Sequence, residues 1–177
     1  MKFLRDLLFV NVQTTGPDPE RDYIIQLTGL VLNKENLLEK ARYSSLVRVS
    51  LLDSVIGKHA QLLEVDVKTL RQSPKPLEVL REFYQLGTDV FLATHTPESI
   101  LFLRALFKKQ QLTYPYPVHV VDCWTLSYVY CLSLGLKKVP TTHTMLEYFN
   151  IRPQGTVSPL ERIRLEAEIF KRVVNAA

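Results

Sequence analysis

The stretch from residue 8 to residue 16, Leu-Phe-Val-Asn-Val-Gln-Thr-Thr-Gly, constrains the fold of this chain more than any other. Its alternating apolar residues predict a buried β-strand, which the following Thr-Thr-Gly-Pro ends. Successive side chains of a strand point to opposite faces, so Asn11 and Gln13 share one face. Two neutral polar side chains are therefore predicted to project together from a core strand.

The amides of Asn11 and Gln13 matter because of the residues they resemble. Aspartate and glutamate at these positions would form part of the carboxylate set that holds two metal ions in nucleases. An amide keeps the size and one acceptor oxygen of a carboxylate, but it carries no charge and adds two N–H donors. The pair thus keeps the shape of such a site and loses most of its affinity for a hard divalent cation.

Three consecutive segments, residues 9–16, 18–20 and 22–32, resemble the first motif of the DnaQ-like (DEDD) 3′–5′ exonucleases, the group that includes the epsilon subunit of DNA polymerase III. In that motif Asn11 takes the place of Asp, while Gln13 and Gln26 each take the place of Glu. The resemblance implies an α/β, ribonuclease H-like exonuclease fold. We therefore expect a mixed central sheet, with an antiparallel meander plus parallel strands, flanked by helices.

The second motif of this family corresponds to residues 93–103, Ala-Thr-His-Thr-Pro-Glu-Ser-Ile-Leu-Phe-Leu. Ser99 occupies the position of its aspartate, and His95 lies in the preceding loop. Glu98 is one residue away, which is a rotation of about 100° on a helix, so we expect it to point away from the site. Pro97 and Glu98 are instead typical of the first turn of a helix.

The third motif places a general base and a metal ligand on the last helix of the family. With the chain aligned on Ala167 and Phe170, Val157 takes the place of the His and Arg162 that of the Asp. Valine cannot accept a proton, and arginine brings a positive charge to a place where metal ions need negative ligands. Two glutamates nearby, Glu161 and Glu166, are expected to be ordinary helix charges, with Glu166 able to pair with Arg162 at the i, i+4 spacing. The alternative is that one of the two holds a single metal ion.

Periodicity and turn signals predict the remaining elements. Strands are expected at 6–12, 23–33 and 42–50, with a hairpin near 33–36, and a fourth at 90–93. Helices are expected from residue 77 to Gly87, over 98–110, after an N-cap at Asp122, over 141–151 and over 157–174. Short helical turns are expected within residues 52–74. Helical spacing favours a place in the core or in the wall of a groove for Trp124, Tyr128 and Tyr130 over a stacking platform.

Length and composition fit one domain spanning residues 1–177. The net charge of +4 leans weakly towards an anionic partner. Cys123 and Cys131 lack the spacing of a zinc site, so we expect two reduced thiols in a cytoplasmic protein. We expect no signal peptide, because an acidic residue comes too early for one, and no membrane-spanning segment.

The leading hypothesis is a catalytically inactive exonuclease-like domain that binds a single strand or 3′ end of DNA or RNA, or serves as a docking module. No cofactor is then expected, and the following residues are expected to contact the strand: Asn11, Gln13, Thr14, Thr15, His95 and Arg162. One alternative is an active 3′–5′ exonuclease that holds Mg²⁺ or Mn²⁺ with displaced carboxylates such as Glu98 or Glu161. Another is a pure protein-interaction scaffold, and a polymerase or helicase is a candidate protein partner.

Overall fold

A five-stranded mixed sheet forms the centre of the protein in a computed structural model, which describes residues 2–50, 57–58, 60–61, 64–137, 139–153 and 157–176. The strand order is β3-β2-β1-β4-β5. The strands are β1 (Asp6–Thr14), β2 (Ile24–Leu32), β3 (Glu39–Leu46), β4 (Val90–Thr94) and β5 (Val120–Asp122). The first three are antiparallel to one another, whereas β4 and β5 run parallel to β1. The predicted fold class, a meander extended by parallel strands, is confirmed.

Six helices are described, and they flank this sheet. They are α1 (Val67–Gln72), α2 (Pro76–Tyr84), α3 (Glu98–Lys109), α4 (Cys123–Ser133), α5 (Thr142–Tyr148) and α6 (Pro159–Ala176). The last begins two residues after Val157, because Ser158 caps it: its hydroxyl accepts from the Glu161 N–H at 3.1 Å. No helix of the described part of the chain is long and apolar enough to cross a membrane.

Strand β1 is buried on both faces, and alternation divides its side chains between two cores. Leu8 and Val10 pack with α2 and α3 on one face, whereas Leu7 and Phe9 pack with α6 on the other. The buried face of α6 is the predicted one, formed by Ile163, Ala167, Phe170 and Val174. Asn11 continues the series of Leu7 and Phe9, so it lies on the α6 face of the sheet.

The prediction for β3 is wrong by several residues. The strand spans Glu39–Leu46 rather than 42–50, because the hairpin joins Leu32 to Glu39 in register and Arg48 has already turned away to donate to the Pro74 carbonyl at 2.9 Å. The expected turn after Asn33 is confirmed, since the Leu37 N–H donates to its carbonyl. Pairing with β2, not the composition of the segment, fixes where β3 starts and stops.

Other local predictions hold because they depend on short-range signals. Asp122 caps α4 by accepting from the Trp124 and Thr125 N–H groups at 3.0 and 3.1 Å. Asn150 adopts the left-handed conformation after α5, with a φ of 54°. Both cysteines are buried free thiols. Of the short helical turns expected within 52–74, α1 is observed, while residues 51–56, 59 and 62–63 lie outside the described part.

We predict that Gly29→Ala destabilises the protein. A Cβ at this position of β2 would lie 2.6 Å from Leu86 Cδ1 and 2.7 Å from Phe83 Cε2, inside the packed core. Overpacking of this kind costs about 1–3 kcal/mol, to be measured by denaturant unfolding. Gly57→Ala is the control, because its added Cβ meets no atom within 4 Å. Equal stability of the two variants would contradict this packing.

Candidate functional site

The carboxyl ends of the three parallel strands β1, β4 and β5 meet at one edge of the sheet. The chain leaves these strands at Thr14, Thr94 and Asp122. The Thr94 hydroxyl joins two of them, since it donates to the Val10 carbonyl at 3.0 Å. We call the polar side chains collected at this edge the strand-end site. It contains Asn11 and four further residues: His95, Ser99, Asp122 and Glu166.

Two residues of the strand-end site, Ser99 and His95, are also singled out by the sequence. Each has a buried polar atom that lacks a protein partner among the described residues. Ser99 lies in the first turn of α3 and is 1% exposed, and its Oγ has no hydrogen-bond partner in the described part of the chain. The same holds for Nε2 of the half-buried His95. Burial lowers the His95 pKa, and the Asp122 carboxylate opposes this only in part. Buried unpaired groups are costly and are typical of sites that take a ligand or water.

The register of the second motif agrees with the burial of this turn. Ser99 faces the interior and Glu98, one residue before it, is exposed. The expected rotation of Glu98 away from the site is therefore observed. The acid lies in the first turn of α3, where it favours the helix dipole.

Glu166 is the residue that sequence reasoning misjudged. It is 4% exposed and forms no ion pair with Arg162, so the expected surface pair is wrong. Desolvation raises its pKa to about 7, and the nearby charge of Arg162 opposes this shift. The signal was present in the sequence, because Glu166 lies three residues after Ile163 and four before Phe170, on the face that packs on the sheet.

Glu166 precedes Ala167, which packs in one cluster with Phe9, Ala93 and Cys123, so Glu166 lies near the ends of β1 and β4. Burial raises the pKa of the Cys123 thiol, the Glu166 and Asp122 charges raise it further, and a hydrogen bond with the Thr94 backbone opposes them. Glu166 is thus a neighbour of the strand ends, one helical turn after Arg162. The family alignment had put Arg162 in this inward position. Helix geometry puts Glu166 there instead.

Arg162 and Val157 flank the site without occupying its interior. Arg162 is exposed, and its side chain makes no ion pair within the described residues. Val157 is half-buried and packs with Leu165 and Ile169 against α4 and α5. Neither side chain can serve as a base or a metal ligand.

Thr14 and Thr15 already hold the loop that follows β1. The Thr14 hydroxyl donates to the Gly16 carbonyl at 2.8 Å, and the Thr15 hydroxyl donates to Asp22 at 3.2 Å. The Thr15 N–H donates to the Tyr23 carbonyl at 2.9 Å. Gln13 is half-buried beside them and pairs with Gln26 across the antiparallel ladder. Contacts of these residues with a nucleic-acid strand stay a prediction. For Thr14 and Thr15 such contacts require that the hydrogen bonds described above be exchanged for bonds to the nucleic acid.

The donor set does not fit a pair of divalent ions. Two such ions need several carboxylates to offset their mutual repulsion. The Asp122 carboxylate is engaged in capping α4, and Glu166 is the one other carboxyl group at the strand ends among the described residues. No group of three or more His, Cys, Asp or Glu residues in the described ranges could hold a metal ion.

Comparisons with solved structures identify the fold. Cell-death related nuclease 4 (CRN-4) superposes with a TM-score of 0.81 over 98% of this chain, at 14% identity. The nuclease domain of 3′hExo, a DEDDh family member bound to rAMP, superposes with a TM-score of 0.73 over the whole chain and 96% of that domain, at 18% identity. Exonuclease I gives a TM-score of 0.76 at 11% identity. The chain has the ribonuclease H-like exonuclease fold.

These likenesses concern structure alone. No protein-family model and no curated protein sequence matches the chain. The chain corresponds to 64% of the length of CRN-4 and to 41% of exonuclease I.

We predict that Glu166 makes the stability of the protein depend on pH. The folded protein keeps this proton to a pH of about 7, whereas the unfolded chain releases it near 4.5. The folded state therefore binds more protons between these values, and this group's contribution to the free energy of unfolding falls as pH rises through that window. The loss amounts to at most about 3 kcal/mol.

Glu166→Gln should remove this contribution to the pH dependence. We expect the variant to be more stable than the natural protein at pH 8 and to lack its decline between pH 4.5 and 7 in denaturant melts. Glu98→Gln, which changes an exposed acid, is the control. Parallel pH profiles for the natural protein and Glu166→Gln would show that the Glu166 carboxyl is not desolvated.

Proposed function

We propose that this chain is an exonuclease-like domain without strand-cleaving activity that binds a nucleic-acid single strand, or its 3′ end, at the strand-end site. The observation that carries the proposal is the charge of that site. Asn11 and Ser99 are neutral, the one buried carboxyl holds its proton into the neutral range, and an exposed arginine stands beside it. Such a set favours a phosphate over a pair of dications.

Arg162 supplies the positive charge in this proposal. Its guanidinium is exposed, has no acidic partner in the described part of the chain, and is near enough to Glu166 to shift the pKa of that carboxyl. Guanidinium groups bind phosphate oxygens in a bidentate manner and keep their charge at all working pH values. Asn11 adds amide N–H donors, and His95 and Ser99 add polar atoms that the protein leaves unpaired.

A pair of aromatic side chains beside the site supports a nucleic-acid strand as the ligand. Trp124 and Tyr128 stack with ring centroids 5.4 Å apart and an interplanar angle of 7°, in the first two turns after Asp122. Tyr128 is 38% exposed, so part of its ring is open to solvent. Unpaired bases stack on rings of this kind with little sequence preference.

The solved neighbours bind ligands of the proposed class. One is a 3′-exonuclease that recognises the 3′ end of a histone mRNA stem-loop, and it superposes with a TM-score of 0.74 at 18% identity. Another holds rAMP. For this chain the transfer of nucleic-acid binding is a proposal, supported by the shared fold and by the site described above.

An active 3′–5′ exonuclease is the competing function. Glu166 is the observation that favours it, because a buried carboxyl at the strand ends is the one acidic group there that is not engaged as a cap. Glu98 lies exposed on the outside of α3 and is poorly placed to help. A single carboxyl group is not enough to hold two metal ions, which need several carboxylates.

We predict that the protein binds a fluorescent single strand in a chelator, and that the affinity falls with salt. Arg162→Ala should weaken binding by about 10- to 100-fold, because a charge-assisted hydrogen bond contributes roughly 1.5–3 kcal/mol. The slope of log affinity against log salt should fall by about one unit. Fluorescence anisotropy with DNA and RNA strands at several salt concentrations measures both.

Arg172→Ala is the matched control, since Arg172 lies on the same helix and pairs with Glu168 at 3.0 Å. It should leave binding nearly unchanged. Binding that disappears in the chelator would contradict the proposal. Equal losses from both arginines would show diffuse charge attraction rather than a site at Arg162, and no binding to either strand would leave a protein-interaction scaffold.

A further inference from the structure

Two adjacent lysines at the end of α3 contact the loop that follows β1. Lys108 pairs with Glu20 at 3.0 Å, and both of these side chains are largely exposed, 72% and 67%. Lys109 instead donates to two main-chain carbonyls of the loop, that of Pro19 at 2.8 Å and that of Asp22 at 2.6 Å. The two lysines therefore make different kinds of contact, although they are neighbours in the chain.

The ammonium group of Lys109 is enclosed by the loop. The side chain is half-buried, and its Nζ lies over the Tyr23 ring, 4.9 Å from the ring centroid. No carboxylate pairs with it within the described residues, so its charge is met by carbonyl dipoles and by an aromatic face. Charge-assisted hydrogen bonds that are partly shielded from water are stronger than an exposed ion pair. Of the two lysines, Lys109 is therefore the one that fixes the loop on α3.

Apolar residues beneath this contact set the loop against the same helix. Pro19 and Tyr23 border a cavity of only about 20 Å³, which Phe102 and Leu106 of α3 close from the other side. This cavity has room for about one water molecule, so the loop lies close against the helix. Lys109 follows Leu106 by three residues and thus continues the same face of α3.

Asp22 connects the Lys109 contact to the end of β1. While the Asp22 carbonyl accepts from Lys109, its carboxylate accepts from the Thr15 hydroxyl at 3.2 Å and from the Asp18 N–H at 2.9 Å. The Tyr23 N–H donates to the same Thr15 hydroxyl at 2.9 Å. Thr15 lies directly after β1 and is one of the residues expected to contact the nucleic acid. Displacement of Asp22 would therefore displace Thr15.

We propose that Lys109 is a positioning residue for nucleic-acid binding, which holds the loop after β1 in the conformation that receives the strand. The inference rests on the proposed function, and it assigns Lys109 no contact with the strand itself. The ammonium of Lys109 donates to protein carbonyls, whereas Arg162 has an exposed guanidinium without an acidic partner in the described ranges. Lys109 thus acts on the shape of the site, and Arg162 acts on the phosphate.

Salt dependence separates these two roles. A lysine that neutralises a phosphate contributes about one unit to the slope of log affinity against log salt, and a positioning lysine contributes none. Lys109→Met keeps the apolar stem and removes the donors. It should weaken binding of the fluorescent single strand about three- to tenfold with an unchanged slope, because affinity falls with the fraction of molecules whose loop is in the binding conformation. Lys108→Met is the matched control and should bind nearly as the natural chain does.

Hydrogen exchange of the protein without a strand tests the loop directly. In Lys109→Met the amides of Thr15 and Tyr23 should exchange several times faster than in the natural chain, because the loop opens without breaking its contacts to α3. In Lys108→Met their exchange should be unchanged.

A double-variant cycle tests the connection through Asp22. Asp22→Ala removes the carboxylate that holds Thr15 but leaves the carbonyl to which Lys109 donates. Because both changes release the same loop, their effects on strand affinity should not add. The variant with both changes should bind about as weakly as Lys109→Met alone.

Four results would overturn the proposal: full affinity in Lys109→Met, a reduced salt slope in that variant, an equal loss in Lys108→Met, or unchanged amide exchange at Thr15 and Tyr23. Additive losses from Lys109→Met and Asp22→Ala would also overturn it. A natural chain that binds neither DNA nor RNA would overturn the proposed function together with this inference. Strand binding that is indifferent to Lys109 overturns this inference alone.

Discussion

The pairing of β1 on both of its edges is the constraint on which the structure depends. Antiparallel β2 lies on one side and parallel β4 on the other, and the strand is buried between α6 and the pair α2 and α3. Parallel pairing brings the carboxyl ends of β1, β4 and β5 to one edge. The side chains of the strand-end site are placed by that edge, by the first turn of α3, which holds Ser99, and by α6, which packs across the sheet.

Polar side chains that are buried without a compensating charge determine the chemistry of this edge. A site for two dications needs several ionised carboxylates, and here an amide, a hydroxyl and one carboxyl whose pKa is raised to about 7 occupy the interior. The exposed guanidinium of Arg162 beside this carboxyl would meet a phosphate in a solvated setting, so that interaction should weaken with salt. The proposed binding of a phosphate is consistent with the electrostatics of the site.

Features that depend on residues close together in the chain could be predicted from the sequence, whereas features that depend on distant parts of the chain could not. The β1 alternation, the Asp122 cap and the bounds of α3 depend on neighbours in the chain, and they were predicted. The ends of β3 depend on pairing with β2, which composition does not reveal. The motif alignment points to Arg162 rather than Glu166, whereas helix periodicity, with Glu166 between Ile163 and Phe170, marks Glu166 as inward-facing.

The most direct test is an end-labelled single strand, DNA and RNA in turn, incubated with excess protein in manganese or in chelator and resolved on a denaturing gel. We expect intact strands in both conditions, together with a stable complex under native conditions. Stepwise shortening from the 3′ end that requires manganese and disappears in Glu166→Gln would contradict it, because it would show that one buried carboxyl suffices to hold a working metal.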